Sequence, residues 1–287
     1  MSDGSRSTKK VALVVGSGAV KCAAALGLWK VLQRENIPIE MVVGCSGGCL
    51  YTSLMALGFD RERCEEMTRR MWTREVTTER DLRSLVSVFL PKLVGFGTGF
   101  GLVRDRRLNH VLREAYGDRT FADAEIPLFI AATDLLTGEK VVLSDGPIFD
   151  AIRSSIAIPY VWPAWKIEDR WLVDGCLSNP LPVDIAIKEG ADIILAMGFD
   201  ASYPRSLKSA SRYAFQLNSV STNNLLRASF AFHNLAHHTE IIPVLPDFDR
   251  PIGLFDTGQF PHVIDQGERA AEAILPYLRQ LLDDRAA

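Results

Sequence analysis

The sequence predicts an α/β protein built around a mostly parallel sheet. A short β-branched run, Val11–Val15, indicates a buried strand and is followed at once by glycines. The helical spacing of Cys22–Arg34 comes next, and a further apolar run, Glu40–Val43, indicates a second strand. A strand, a helix and a strand in this order form a βαβ unit, whose two strands run parallel in one sheet.

The rest of the chain continues this alternation of strands and helices. A helix through Leu50, Leu54 and Leu57 follows the second strand. The later predicted elements are, in chain order, strands Leu128–Ala132 and Lys140–Leu143 around a Thr-Gly turn, a helix Ala151–Ile158 stopped by Pro159, the last sheet strands Arg170–Val173 and Ile193–Met197, a polar and then helical stretch over 201–240, and a closing helix Gly267–Leu282. We expect residues 1–9 to form a disordered tail and residues 10–287 to form a single domain, since no repeat or linker interrupts them.

Composition excludes several classes of protein. The chain has 287 residues, of which 47% are hydrophobic and 23% charged, so it is not disordered throughout. A net charge of −3 gives no overall attraction to nucleic acid. No apolar run reaches the roughly 18 to 20 residues that span a bilayer, and we expect a cytoplasmic protein that can contact membranes peripherally. The cysteines are odd in number and lack zinc-like spacing, which predicts buried reduced thiols at Cys22, Cys45, Cys49, Cys64 and Cys176.

The five residues Gly44-Cys45-Ser46-Gly47-Gly48 fit the G-x-S-x-G pattern of a nucleophile elbow. They stand between a predicted strand and a predicted helix, which is the context that such an elbow requires. There a sharp turn exposes the serine Oγ, and the neighbouring glycines remove Cβ atoms that would clash. The N–H groups at the start of the following helix can stabilise developing negative charge. A plain tight turn is the alternative interpretation.

A serine nucleophile needs a base, and histidines and a carboxylate are the candidates. The sequence does not single out one of the histidines, which are His110, His233, His237, His238 and His262. His233 and His237 have the i, i+4 spacing of a metal pair, but no HExxH context accompanies them, so no metal site is predicted. Asp174 ends an apolar strand and is followed by Gly175; catalytic side chains collect at strand ends in parallel sheets, although Asp-Gly alone usually marks a turn.

Several ordered motifs resemble the patatin-like phospholipase family. The segment GSGAVKCAAALGLWKVLQRENIPIEMVVGCSGG is similar to the amino-terminal signature of that family, in which a glycine-rich loop, a helix and a strand lead to G-x-S-x-G. The later DGCLSNPLPVDIA resembles its D-G-[GA] motif. AATDLLTGE and AIRSSIAIP resemble intervening segments, and LFDTGQFPHVIDQGERAAE resembles the closing helix region. The likeness covers roughly residues 10 to 200 and the closing helix.

The resemblance implies a three-layer α/β/α fold and a Ser–Asp dyad without histidine. Ser46 would be the nucleophile and Asp174 the general base, in a hydrolase that cleaves lipid acyl esters without a metal or other cofactor. The expected partners are a lipid ester and a membrane or micelle surface, with no nucleic acid. The alternatives are a catalytically weak lipid-binding relative, an acyltransferase that forms the same acyl-serine, and an ordinary α/β-hydrolase with a histidine triad.

One part of the family pattern matches poorly. The oxyanion loop of the family reads G-x-G-x-x-G, with an arginine before the last glycine. Ser17, Ala19 and Cys22 stand at the glycine positions and Lys21 at the arginine position, while Gly16 and Gly18 remain. The resemblance places the oxyanion hole at Gly18, Ala19 and Lys21. Because the hole uses backbone N–H groups, the changes are compatible with it if those positions avoid positive φ.

The segment 85–103, LVSVFLPKLVGFGTGFGLV, is apolar, aromatic and rich in glycine. It fits either a mobile flap or core packing with glycine hinges. Given a lipid substrate, Phe89, Phe96 and Phe100 are candidates for acyl-chain contact or interfacial docking.

Overall fold

Among the residues that the structure describes, eight strands form one sheet. This computed structural model describes residues 9–71, 97–200, 210–236, 238–253 and 256–283, and single residues at 73, 79, 81, 84 and 86. The strands are β1 (Val11–Val15), β2 (Met41–Cys45), β3 (Leu128–Asp134), β4 (Lys140–Leu143), β5 (Trp165–Ile167), β6 (Arg170–Asp174), β7 (Ile193–Met197) and β8 (Glu240–Val244). The predicted tail, apart from Lys9, lies outside the described residues, as do Phe89, Phe96 and His237.

The sheet is mostly parallel, and helices cover both of its faces. Parallel pairs join β3 to β2, β2 to β1, β1 to β7 and β7 to β8, whereas β4 and β6 run antiparallel to β3 and β5 runs antiparallel to β6. The described helices are α1 (Ala24–Arg34), α2 (Gly47–Ala56), α3 (Arg61–Met71), α4 (Arg106–Tyr116), α5 (Ile148–Ser155), α6 (Val183–Lys188), α7 (Ala210–Ala236) and α8 (Phe260–Asp283).

The two faces of the sheet bury different cores. Alternate residues of β1 divide between them, since successive side chains of a strand point to opposite faces. Leu13 belongs to the core that helices α1, α2, α5 and α8 also line, and Val14 belongs to the core lined by α6 and α7. The three-layer α/β/α fold predicted from the sequence is therefore confirmed.

Two strands meet end to end beside β3, and this positions the site. β3 pairs with β4 along Ile130–Thr133. It pairs with β2 up to Ala131 and with β6 from Ala132 onward. Because a strand has two edges and β4 occupies one of them, β2 and β6 must share the other. Cys45 lies opposite Ala131 and Asp174 lies opposite Ala132. The carboxyl ends of β2 and β6 therefore approach each other from opposite directions.

Several predicted boundaries need correction. The helix predicted at 151–158 is Ile148–Ser155, and beyond its end the Ala157 carbonyl accepts the Asp174 N–H. The closing helix begins at Phe260 rather than Gly267. Gly267 lies inside the helix because α8 crosses α1 so closely that a Cβ there would clash with the Ala24 carbonyl.

Two strands were not predicted, so Ile193–Met197 is not the last strand. They are the short β5 and the strand β8, which contains Pro243 and pairs with β7 at the border of the sheet. Proline weakens a strand pattern in the sequence and is tolerated on an edge strand. Within the described part of the chain, no helix combines the length and the apolar character needed to cross a membrane.

Candidate active site

Ser46 lies at the turn between β2 and α2, as the elbow pattern predicts. β2 ends at Cys45 and α2 begins at Gly47, so Ser46 is the N-cap of the helix. Its backbone has φ 53° and ψ −131°. Such a conformation is strained for a residue with a Cβ, at a cost on the order of 1–3 kcal/mol, and strain of this kind clusters at functional sites.

The elbow glycines permit close packing. A Cβ on Gly44 would clash with Thr52 and Cys49 of α2, and one on Gly48 would clash with the Val15 carbonyl of β1. A Cβ on Gly47 would lie against the backbone of Ala19. Helix α2 can therefore start directly on the ends of β1 and β2. Cys45 is fully buried within the sheet, on the face covered by α6 and α7.

Ser46 and Asp174 form a direct hydrogen bond. The Ser46 Oγ donates to the Asp174 Oδ2 at 2.7 Å, across 128 residues of chain. The end-to-end meeting of β2 and β6 produces this contact. We expected Asp174 at the end of a parallel strand; β6 instead runs antiparallel to β3 and reaches the site from the opposite direction.

The Asp174 carboxylate is buried but stabilised by hydrogen bonds. Its side chain is 1% exposed, and its Oδ1 accepts the Cys176 N–H at 2.9 Å. Burial raises the pKa of Asp174 from 3.8 to about 6, although the bonds from Cys176 and Ser46 oppose that rise. Gly175 allows the following turn to cross β3 closely, because a Cβ there would clash with the Ala131 carbonyl. A carboxyl group with a pKa near neutrality is suited to general acid–base work.

Ser155 is a site residue that the sequence did not single out. Its Oγ accepts the Ser46 N–H at 2.8 Å and donates to the Ala131 carbonyl at 2.7 Å. The side chain is fully buried at the end of α5. It ties the strained elbow to β3 by accepting the N–H of Ser46 itself. The segment AIRSSIAIP resembled a family segment, but nothing in it distinguished Ser155 from Ser154.

The predicted oxyanion loop lies over the elbow. Gly18 precedes a 3-10 turn, Ala19–Ala23, and the backbone of Ala19 lies against Gly47. Among the described residues, the Gly18 N–H has no hydrogen-bond acceptor in the protein. Ala19 is the first residue of its turn, so its N–H has no acceptor within that turn. The backbone N–H groups of Gly18 and Ala19 are therefore the groups on this loop that remain available to donate to a bound oxygen atom.

Two details of this loop differ from expectation. Ala19 has a φ of 49°, so the condition that the substituted positions avoid positive φ is not met there. The Lys21 N–H donates to the Gly18 carbonyl, and the Lys21 Nζ donates to the Asp200 carbonyl at 2.8 Å. Burial lowers the pKa of Lys21, and its ammonium group lies 5.7 Å from the centre of the Phe248 ring. The structure therefore turns the Lys21 side chain towards the ends of β7 and β8.

A groove of about 890 Å³ opens beyond this loop, at the carboxyl ends of β7 and β8. Its wall includes Lys21, Phe199, Leu226 and Phe248. The Phe199 ring covers Gly18 on the groove side. Ser46 is not among the residues that line the groove.

The described histidines and the five cysteines lie outside the hydrogen bond between Ser46 and Asp174. No described histidine is hydrogen-bonded to Ser46; His110 faces Glu114 on α4, and His262 lies 3.2 Å from Asp249. All five cysteines are buried free thiols, and burial raises the pKa of Cys45 well above its usual value. In the described ranges, no cluster of three or more histidine, cysteine, aspartate or glutamate residues is arranged to hold a metal ion.

The model of the patatin-like phospholipase family matches residues 13–187, a span that contains Ser46, Ser155 and Asp174. The chain belongs to this family. An uncharacterized NTE family protein of Mycobacterium bovis is 29% identical over 196 residues, which are 68% of this chain and 51% of that protein. Patatin-like phospholipase domain-containing protein 7 of Mus musculus is 28% identical over 193 residues, 65% of this chain and 13% of that protein.

Neuropathy target esterase sws of Drosophila melanogaster is also 28% identical, over 191 residues, again 65% of this chain and 13% of that protein. The chain thus spans about half the length of the bacterial NTE family relative and about an eighth of the length of the animal ones. Two solved structures share the fold at 14% identity, and each match covers 97% of this chain. Human GIVD cytosolic phospholipase A2 has a TM-score of 0.51 over 60% of its chain, and VipD from Legionella pneumophila has a TM-score of 0.50 over 67%.

Proposed function

We propose that this patatin-like protein is a lipid acyl hydrolase that cleaves carboxylic esters through an acyl-serine intermediate. Ser46 is the nucleophile and Asp174 the general base. The observation that carries the proposal is the 2.7 Å hydrogen bond from the Ser46 Oγ to a buried carboxylate. An activated nucleophile is recognised by a base within such reach of its hydroxyl.

The geometry supports a two-step reaction. Asp174 accepts the Ser46 proton while the Oγ attacks the ester carbonyl, and the protonated Asp174 then gives that proton to the departing alcohol. In the second step, water loses a proton to Asp174 and attacks the acyl-serine. The fatty acid leaves, and the proton returns to the Ser46 Oγ. In both steps the N–H groups of Gly18 and Ala19, with the start of α2, are the candidate donors to the carbonyl oxygen.

Family membership supports a lipid ester as the substrate. Several relatives carry the names phospholipase or esterase, and the proposal extends that chemistry to this chain. The chain length and the head group are left to experiment, and the same acyl-serine also serves transfer to an acceptor other than water.

A catalytically weak lipid-binding protein is the second candidate, and the oxyanion loop favours it. Ala19 is held at positive φ where the family has glycine, and Lys21 is held at Asp200. An oxyanion loop with these two features can leave the fold and a lipid-binding site intact and still stabilise the carbonyl oxygen of a bound ester poorly.

Labelling with a fluorophosphonate, followed by peptide mass spectrometry, tests the proposal. We expect modification of the wild type at Ser46 and none in Ser46→Ala, with Asp174→Asn labelled at least about a hundredfold more slowly. Ser154→Ala and Asp134→Asn are matched controls, since both residues are buried nearby and neither is bonded to Ser46. Equal labelling of wild type and Asp174→Asn would refute the dyad. A folded wild type that is not labelled would favour the lipid-binding candidate.

A further inference from the structure

The last turn of α5 and the residues that continue it contact both members of the proposed dyad. The Ser155 Oγ accepts the Ser46 N–H at 2.8 Å, and the Ala157 carbonyl accepts the Asp174 N–H at 3.1 Å. Ala157 directly continues the helix, because its own N–H donates to the Ser154 carbonyl. A shift of this turn would therefore move the backbone of Ser46 and that of Asp174 together.

Arg153 lies in the same turn, on the opposite side of the helix from Ser155. At 3.6 residues per turn, two positions differ by about 200° around the helix axis and about 3 Å along it. The Arg153 side chain is fully buried. Its guanidinium donates to the Asp105 Oδ2 at 2.7 Å, to the Asn109 Oδ1 at 2.9 Å and to the Pro163 carbonyl at 3.1 Å. These bonds fasten the turn to α4 and to the segment before β5, while Ser155 fastens it to β3.

A buried guanidinium costs more free energy than an apolar side chain would at the same place. Burial lowers the pKa of Arg153, and the charge of Asp105 offsets only part of that effect. Among the described residues, the Arg153 Nη1 has no hydrogen-bond acceptor. Ile148 and Ile152 already anchor α5 in the apolar core, and a further apolar residue would add to that anchor without burying a charge. What hydrogen bonds in three directions add is a fixed position and rotation of the turn.

We propose that Arg153 is a positioning residue, which holds the last turn of α5 where that turn keeps Ser46 and Asp174 within hydrogen-bond reach of each other. The inference rests on the proposed function, since it gives Arg153 a part in the same reaction. A displacement of about 1 Å can lower a rate by two orders of magnitude even when it starts away from the reacting atoms. Loss of the Arg153 bonds should therefore slow the attack of the Ser46 Oγ and leave the binding of a small ester unchanged.

The test removes the buried charge pair while preserving the packing. The double variant Arg153→Met, Asp105→Leu places apolar side chains where both charges were. It should unfold at the same urea concentration as the wild type or at a higher one. Its reaction with a fluorophosphonate at Ser46, and its kcat for a short soluble ester, should nevertheless fall about ten- to a hundredfold, with KM unchanged. Arg153→Lys keeps the charge but loses the planar fork of donors, so its labelling rate should lie between those of the double variant and the wild type.

Arg113→Met is the matched control. Arg113 also joins α4 to α5, because its guanidinium carbon lies 4.0 Å from the centre of the Phe149 ring, but this contact is at the first turn of α5. The variant should be labelled at the rate of the wild type. An equal loss of labelling in Arg113→Met and the double variant would show that any loosening of α4 against α5 slows the reaction, and the assignment to Arg153 would be overturned.

Hydrogen exchange at the amides of Ser46 and Asp174 provides a readout that does not need catalysis. Both amides should exchange at least about tenfold faster in the double variant, because their acceptors lie on the released turn, whereas the amides of β1 should exchange as in the wild type. Wild-type labelling and exchange in the double variant would overturn the inference and leave the hydrolase standing. Slow labelling with wild-type exchange would overturn it as well, since Arg153 would then act by another route. A wild type that is never labelled refutes the hydrolase, and exchange at the two amides then decides whether Arg153 positions them.

Discussion

Replacing the buried carboxylate of Asp174 by an amide should stabilise the fold while removing the proposed base. In Asp174→Asn the side-chain oxygen can still accept the Cys176 N–H, and the new NH₂ group can donate to the Ser46 Oγ. The asparagine side chain can therefore keep both hydrogen-bonded contacts that the Asp174 carboxylate makes. What disappears is a negative charge held in a site that is 1% exposed.

The size of this effect follows from the pKa of Asp174, which burial raises from 3.8 to about 6. A rise of about two units corresponds to about 3 kcal/mol, because each unit is worth about 1.4 kcal/mol. The folded state binds the proton more tightly than the unfolded chain. Asp174 therefore costs no stability below pH 3.8, and the cost grows as the pH rises until it levels off above about 6.

Urea unfolding of wild type and variant at pH 4 and pH 7.5 measures this cost. We expect the free energy of unfolding of Asp174→Asn, relative to that of the wild type, to increase by about 2–3 kcal/mol from pH 4 to pH 7.5. Ser46→Ala is the control that keeps the carboxylate; because it also removes a hydrogen bond that opposes the rise in the pKa of Asp174, its stability should fall from pH 4 to pH 7.5 at least as much as that of the wild type. A difference between Asp174→Asn and wild type that is the same at both pH values would refute a raised pKa. If Asp174→Asn is less stable than the wild type at pH 7.5, the charge of Asp174 is better solvated than its burial indicates.

Three further predictions concern activity and packing. The kcat/KM for a soluble ester should rise with pH, with a midpoint near pH 6 where Asp174 loses its proton. A flat profile from pH 5 to 8 would contradict the proposal that Asp174 is the base. Ser155→Ala leaves the Ser46 N–H without its acceptor, so the free energy of unfolding in urea should fall by about 1–3 kcal/mol and the labelling of Ser46 should slow. If both values stay at those of the wild type, Ser155 does not position the elbow. Gly48→Ala sets a methyl group against a β1 carbonyl and should cost about 1–3 kcal/mol or more; wild-type stability would mean that α2 can shift away.

Local patterns were sufficient to predict the fold class and the elbow. Val11–Val15 is a run of consecutive apolar residues because β1 is buried on both faces, and such a run is visible without knowledge of its neighbours. Ser46 could be predicted for the same reason, since the backbone turn and the close packing of α2 require glycines at adjacent positions. The strand β8 was missed because an edge strand needs fewer apolar residues and tolerates Pro243.

The sequence by itself determined the alternation of strands and helices apart from β5 and β8, the candidate nucleophile and the candidate carboxylate, because each depends on neighbours within a few residues. Only the tertiary structure decided that β6 meets β2 end to end along β3, which brings Asp174 within 2.7 Å of Ser46. It alone decided that the Ser155 hydroxyl accepts the Ser46 N–H and that Ala19 has positive φ. These contacts join residues up to 128 positions apart, and strand pairing and burial, which no local pattern encodes, bring them together.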